Sequence, residues 1–418
     1  MTTKAKNPSC LVSHPTANKV SRYVAEALYD ANLLHGYHSC LAVGFDSKNP
    51  LYRKCFAQRS IHIPDRLIQR KIFRESVRLL SAKLDLFSSL HKRETAPFSI
   101  FRIYQALDHS VASSIRQSRE GELSAVYAFE DGALASFEAA GEKGIKRIYD
   151  MPIAYWEAAA RLLNEEKERY PEWSVTMPGL TDSQEKLERK TREIELADAV
   201  VCPSHFVMDS LPEQIKRTKT CAISHFGCHP DDKWTARKTP ENGPLRLLFV
   251  GSLTQRKGLA DIFEAVRRLN SRQIELVVLG STVASMEFYR NQGVPFTYKS
   301  PRSNEGVLEL MSACDIFILP SIVEGRALVQ LEALGVGLPL IITPNTGGED
   351  LIADDGSTGF SVPIRSPEAI AEKIDWFLGN RDKIDAMKSA SKKRAQMITW
   401  PKYQQTLLQV IKTILGEP

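Results

Sequence analysis

The chain has 418 residues, 43% of them hydrophobic and 25% charged, a composition that fits a soluble globular protein of two or three domains and excludes the disordered and fibrous classes. A net charge of +5 gives no argument for nucleic acid as a partner, and the aromatic interleaving and motifs of nucleic-acid binders are absent. The seven cysteines, at 10, 40, 55, 202, 221, 228 and 314, are scattered and contain no CxxC pair, which argues against a disulfide scaffold or zinc ribbon and for a reducing cytoplasm.

The first stretch, MTTKAKNPSCLVSH, has no apolar core of signal-peptide length, and no run of about 18 apolar residues follows, so neither export nor a membrane span is expected. LVSHPTANKVSRYVAEAL (11–28) reads as a short strand, a His-Pro loop and an amphipathic helix. Loops at the C-terminal ends of strands line the ligand crevice of open α/β sheets, so His14 and Asn18 are candidate substrate or acceptor contacts. As single residues both also have ordinary structural uses. HSCLAVG (38–44) predicts the next strand.

Residues 66–87, RLIQRKIFRESVRLLSAKLDLF, predict a helix on which Leu67, Ile68, Ile72, Phe73, Leu79 and Leu80 share much of one face, opposed by Arg66, Arg70, Lys71, Arg74 and Arg78. Residues 1–119 hold 19 Lys and Arg against 8 Asp and Glu, whereas 120–242 hold 16 against 23. The basic helix is therefore either a solvated face or a surface for an anionic membrane.

Strands are predicted at 123–129, 145–150 and 197–204, with CAISHFG (221–227) as the last of an N-terminal domain spanning 1–226. The segment GCHPDDKWTARKTPENGP (227–244), rich in Pro, Gly, Asn and charge, reads as an interdomain linker. His225, Cys228 and His229 lie at its edge, but they have no matching second half and no metal site is expected there.

From 245 to 399 the alternation is regular. LRLLFVG, IELVVLGS, PFTY, DIFILPS and LPLIIT are strands, and helices are expected near 258–270, 304–313 and 325–335, giving a doubly wound domain. Residues 400–418 are expected to form a helix packing back on the N-terminal domain. The loop after the first strand places Arg256 and Lys257 at a helix start, where two cations can neutralise a diphosphate. Neither GxGxxG nor GxxxxGK[ST] occurs there, which disfavours dehydrogenases and P-loop enzymes.

In PSIVEGRALVQLEALGVGLP, Glu324 and Glu332 are expected at the start of and within one apolar helix. They would then lie about 12 Å apart along its axis and roughly 80° apart around it, too far to share a metal or proton but spaced like the two ends of a nucleotide diphosphate sugar. Glu324 alone is an ordinary acid for a helix start. Glu332, among Leu328, Val329, Leu331, Ala333 and Leu334, needs something polar to meet it in a buried cleft.

A Glu, seven residues and a second Glu after a Pro-Ser strand end resembles the family 4 retaining glycosyltransferases, and the resemblance covers residues 245 to 378. It implies an α/β protein of GT-B architecture, with two Rossmann-like doubly wound domains facing across a cleft. It also implies a nucleotide diphosphate sugar as donor, with no metal or other cofactor. In such enzymes Glu324 would meet hydroxyls of the transferred sugar, Glu332 the ribose, and Lys257 a phosphate. Ser252 stands where relatives carry a phosphate-binding Arg, a role open to Arg256. Gly325, Arg326 and Ala327 replace the Gly-Phe-Gly of many relatives at the sugar. Asp150 falls where many relatives have a sugar-contacting His, and no role is carried over to it.

The activity implied is retaining hexosyl transfer in glycan, polysaccharide or glycolipid biosynthesis, in the cytoplasm or at the inner membrane face, with a glycan, lipid or small-molecule acceptor. An epimerase of the same architecture would turn over a nucleotide sugar without any acceptor. A non-catalytic interaction partner would be expected to lose Glu332 or Lys257, which this chain keeps.

Overall fold

The computed structural model describes residues 9–83, 94–177, 181–229 and 233–416. Its N-terminal half contains the strands β1 Cys10–Ser13, β2 Leu34–Ser39, β3 Val43–Gly44, β4 Ser60–Ile61, β5 Ile68–Arg70, β6 Ala125–Phe129, β7 Lys146–Asp150, β8 Ala199–Cys202 and β9 Thr220–Ile223. The C-terminal half adds β10 Leu245–Val250, β11 Ile274–Leu279, β12 Thr297–Lys299, β13 Ile316–Leu319, β14 Leu340–Ile342 and β15 Gly359–Ser361. Two large sheets result, ordered β5-β2-β1-β6-β7-β8-β9 and β12-β11-β10-β13-β14-β15, with β3 and β4 as a separate pair.

The paired strands run parallel. Parallel sheets need both faces covered, which is why β6 and β13 are buried at every residue and read as unbroken apolar runs. Each sheet starts in its middle, at β1 or β10, builds to one side and then reverses with β6 or β13. That reversal opens a crevice at the C-terminal strand ends, the place where open α/β sheets bind ligands. The architecture is α/β with two Rossmann-like domains.

Pairing overrides helical periodicity in the basic segment. Asp65–Leu67 form a 3-10 turn, β5 pairs with Tyr37, His38 and Ser39 of β2, and the helix runs only over Ile72–Lys83. Arg70 is held by Asp65 and by the Ala42 carbonyl at 2.8 Å, so it belongs to the sheet edge rather than to a helix face. Positions 84–87 lie outside the described residues. The strand expected at 38–44 begins earlier and stops at Ser39, because the Cys40 N–H leaves the ladder to donate to the Pro15 carbonyl at 2.9 Å.

The second half of the 227–244 segment lies along the C-terminal domain. The Ala236 N–H donates to Val336 O at 2.9 Å, the Arg237 N–H to Ser312 O at 2.8 Å, and the Arg237 guanidinium pairs with buried Asp315 at 2.6 Å. At the chain's end, the helix Trp400–Leu415 returns to the helix Lys19–Asp30, with the Trp400 ring stacked on Tyr23 at 4.2 Å and Gln404 Nε2 donating to the Tyr23 carbonyl.

A second bridge is the helix Trp156–Arg169. Its Glu166 is fully buried and takes Arg365 and Gln255 Nε2, the latter at 2.6 Å, while Arg169 pairs with Asp261 at 2.7 Å. Ala154, Leu162, Leu163 and Met177 pack there with Ile322 and Val323. These contacts hold the C-terminal strand ends of the two sheets face to face.

Candidate active site

The crevice of the C-terminal domain is formed by the loops after β10 and β13, and backbone bonds zip the two together. Ile322 N–H donates to the Arg256 carbonyl at 2.9 Å, and Arg256 Nη1 donates to Val323 O at 2.8 Å. Gly258, at φ +74°, starts the helix Leu259–Leu269 where a Cβ would lie 2.1 Å from Pro320 O, so only glycine permits that approach.

This closure brings Arg256, Lys257 and Glu324 together. Lys257 Nζ is ion-paired with Glu324 Oε2, and Arg256 Nη1 lies 3.4 Å from the same oxygen. Burial alone would raise the Glu324 carboxyl, but Lys257 and Arg256 outweigh it and hold it below the ordinary carboxylate range. Burial lowers Lys257, with Glu324 opposing and Arg256 reinforcing that shift. Two half-buried cations and one carboxylate at a strand's C-terminal end suit a ligand that carries phosphate beside hydroxyls.

The N-terminal domain meets this cluster directly. A Cβ on Gly325 would lie 1.8 Å from the Pro152 carbonyl oxygen, and Ser204 Oγ donates to Gly325 O at 2.7 Å. Ala154 N–H points at Glu324 O at 3.4 Å. The loop after β7 therefore forms the opposite wall.

Glu324 precedes the helix, which runs over Leu328–Val336 with Ala327 as its N-cap. The expected helical spacing between the two Glu therefore does not apply, since the chain bends at Gly325 and enters the helix only at Leu328. Glu332 sits on the helix in other company. Burial raises its carboxyl, opposed by Lys19 of the N-terminal domain and by Asn304, whose Nδ2 donates to Oε1 at 2.8 Å.

Arg326 has a wholly buried side chain. Its Nη1 and Nη2 meet Asp350 at 2.6 and 2.9 Å, Nη1 also reaches Gly347 O at 2.6 Å, and Nε reaches Phe226 O at 3.2 Å. It knits the site's backbone together. Ala327 N–H donates to Thr346 O at 3.1 Å, and Ser252 Oγ stands 3.4 Å from Ser281 Oγ at the end of β11.

In the N-terminal crevice His14 is buried, edge-on to Phe129 at 4.8 Å and Tyr104 at 5.8 Å. Its Nδ1 accepts from the Thr16 N–H at 3.2 Å, so the proton of the neutral ring sits on Nε2. Burial, and then Arg59, lower its pKa to about 3. Asn18 caps the first helix, accepting from the Ser21 N–H at 2.8 Å. Glu130, just past β6 across the same switch point, escaped the sequence reading. Burial raises its carboxyl to about 7 against the pull of Lys190, 3.4 Å away. The signal that could have found it, an acid immediately after an apolar strand, is the one that selected the His14 loop.

His225, Cys228 and His229 do not converge: His229 Nε2 bonds the Tyr23 hydroxyl at 2.7 Å, His225 Nδ1 faces Pro203 O at 3.0 Å, and Cys228 N–H donates to Ile398 O.

Asp150, at the end of β7, is buried and accepts from the Tyr127 hydroxyl at 2.5 Å. Burial raises its pKa to about 7, the tyrosine opposing. A carboxyl raised on folding contributes its stability fully below the unfolded value of about 4 and loses it as pH rises through about 7. Asp150→Asn is therefore expected to raise Tm at pH 8, by about 2–4 °C for each kcal/mol recovered, and to change little at pH 4. Thermal unfolding at the two pH values checks this, and an equal effect at both would reject it.

Residues 231–394 match the family model for glycosyl transferases group 1. The D-inositol 3-phosphate glycosyltransferase of Corynebacterium efficiens is 28% identical over 238 residues, 53% of this chain and 54% of that protein. The chain thus spans about half the length of the curated relatives it matches. Among solved structures, sucrose-phosphate synthase from Thermosynechococcus elongatus superposes with a TM-score of 0.65 at 14% identity, covering 98% of this chain and 100% of that one. Anabaena HepE in complex with UDP gives 0.62 at 14% identity, covering 97% and 100%. The chain therefore has the GT-B fold of these glycosyltransferases, and its residues 231–394 match the glycosyl transferases group 1.

Proposed function

We propose that this protein is a glycosyltransferase that moves a sugar from a nucleotide diphosphate sugar to an acceptor hydroxyl with retention of anomeric configuration. The observation that carries this reading is the Arg256, Lys257 and Glu324 cluster at the C-terminal switch point, closed by the Pro152 loop of the other domain. The acceptor oxygen bonds to the anomeric carbon, the bond from that carbon to the diphosphate oxygen breaks, and the acceptor's proton passes to that oxygen. Lys257 and Arg256 meet the charge developing on the leaving diphosphate and are in place beforehand. Glu324 orients sugar hydroxyls, Glu332 takes the ribose, and Ser252 with the Gly325–Ala327 backbone borders the donor. His14, presenting Nε2–H, and Asn18 belong to the acceptor side.

The UDP held by the similar HepE structure makes uridine diphosphate sugars the first donors to test. Thermal-shift screening against a panel of nucleotide diphosphate sugars is the direct experiment. A ligand at 100 times its Kd stabilises by about 2.7 kcal/mol, and a panel without any shift would overturn the reading. With the donor identified, Glu332→Gln is expected to weaken its binding by about 1.5–3 kcal/mol, the worth of a charge-assisted hydrogen bond. Unchanged affinity in calorimetry would remove Glu332 from the site.

The acceptor is proposed to be membrane-borne or to lie close to an anionic inner membrane face. Ile72, Phe73 and Leu80 of the helix Ile72–Lys83 are exposed at 42%, 73% and 59%, and each nearby Lys or Arg adds about 1 kcal/mol at an anionic surface. Among the described residues no helix is long and apolar enough to cross a membrane. Co-sedimentation with anionic vesicles at low salt, reversed by salt, is the expected result. Protein left in the supernatant would exclude this surface.

A further inference from the structure

Three side chains outside the donor cluster meet where the domains join. His205 opens the short helix after β8, His225 follows β9, and Glu349 stands in the loop after β14 of the other domain. One ligand atom from each lies within 4.8 Å of the other two.

The surroundings already orient this group. His225 Nδ1 is 3.0 Å from the Pro203 carbonyl, which only accepts, a contact shorter than that of the donor Arg326 and one that favours the ring proton on Nδ1 and the lone pair on Nε2. Glu349 Oε1 accepts from the His205 backbone N–H at 3.1 Å, which steers the carboxylate and leaves Oε2 open. Arg326 lies 3.4 Å from His225 Nδ1, but Asp350 matches its charge. Among the described residues Glu349 has no ion-pair partner, and its carboxylate stands beside two imidazoles.

Two imidazoles and a carboxylate suit zinc and its borderline neighbours, with a fourth position for water. Metal–ligand lengths of about 2.0–2.2 Å put ligand atoms roughly 3–4 Å apart, so a modest contraction suffices. His205 is exposed.

We propose that His205, His225 and Glu349 form a divalent transition-metal site that ties the N-terminal domain to the C-terminal domain. Two ligands come from one domain and one from the other, so the ion favours the closed pairing of the domains, and that pairing in turn tightens the ion. The site is independent of the donor reading.

The test uses the full chain free of any histidine tag and stripped with a chelator. Cobalt is titrated by visible absorption and zinc by calorimetry. The expected result is one equivalent bound, a Tm raised by zinc, and no thiolate-to-cobalt charge-transfer band. His205→Ala, a change at an exposed position, should weaken binding at least tenfold and abolish the zinc-induced rise in Tm. Glu349→Gln should also weaken binding, and His62→Ala should leave it unchanged. Absence of binding, affinity unaffected by His205→Ala, or a thiolate band showing a cysteine ligand would each overturn the proposal.

Discussion

Lys257→Ala is expected to weaken binding of the free nucleoside diphosphate by about 10–100-fold and to leave the parent nucleoside nearly unaffected. The lost contact is charge-assisted, worth about 1.5–3 kcal/mol, and 1.4 kcal/mol is tenfold in affinity. A second effect adds to it. With Lys257 gone, the Glu324 carboxylate keeps only Arg256, 3.4 Å away, and turns repulsive toward an entering phosphate. The companion change Glu324→Gln frees both cations, so it should strengthen diphosphate binding several-fold while abolishing sugar transfer. Calorimetry with diphosphate and nucleoside separates these outcomes. Equal losses for both ligands in Lys257→Ala would show that the lysine acts only through the fold.

Arg326→Ala is expected to cost about 3–5 kcal/mol of stability, the usual loss when one partner of a buried ion pair is removed. The Arg326 side chain is 0% exposed and Asp350 26%, so truncation strands a largely buried carboxylate and leaves the Gly347 and Phe226 carbonyls without this donor. Burial alone would raise Asp350, but Arg326 holds its carboxyl below the ordinary range. The pair therefore stabilises the fold above about pH 4, and its contribution disappears as pH falls through the lowered Asp350 value. Urea unfolding across a pH series should show the difference between parent and variant largest at pH 7 and shrinking as the pH falls below the ordinary carboxylate range. A loss under 1 kcal/mol at pH 7 would mean that water replaces the guanidinium.

Local chemistry was enough to make much of this molecule legible in the sequence. Apolar runs ending in Pro-Ser or Gly marked three of the six strands of the C-terminal sheet, because a parallel strand buried on both faces tolerates few polar residues. The Arg256-Lys257 pair and the two Glu stood out because each is costly in a buried setting without a ligand or partner. What the sequence could not supply was distance between segments far apart in the chain. That Lys257 closes on Glu324 depends on the zipping of the β10 and β13 loops. That Gly325, next to Glu324, packs against the Pro152 carbonyl of the other domain is something no helical period records. Residues 66–71 carry a helical pattern yet turn into an edge strand, since pairing with β2 satisfies backbone groups that periodicity alone does not see. The sequence by itself determined the α/β class, the strand-end loops and which charged residues stand at them. Only the tertiary structure decided which of them meet, because burial, ion pairing and the approach of two domains are properties of contacts, and contacts join residues more than 60 positions apart in the Lys257–Glu324 pair.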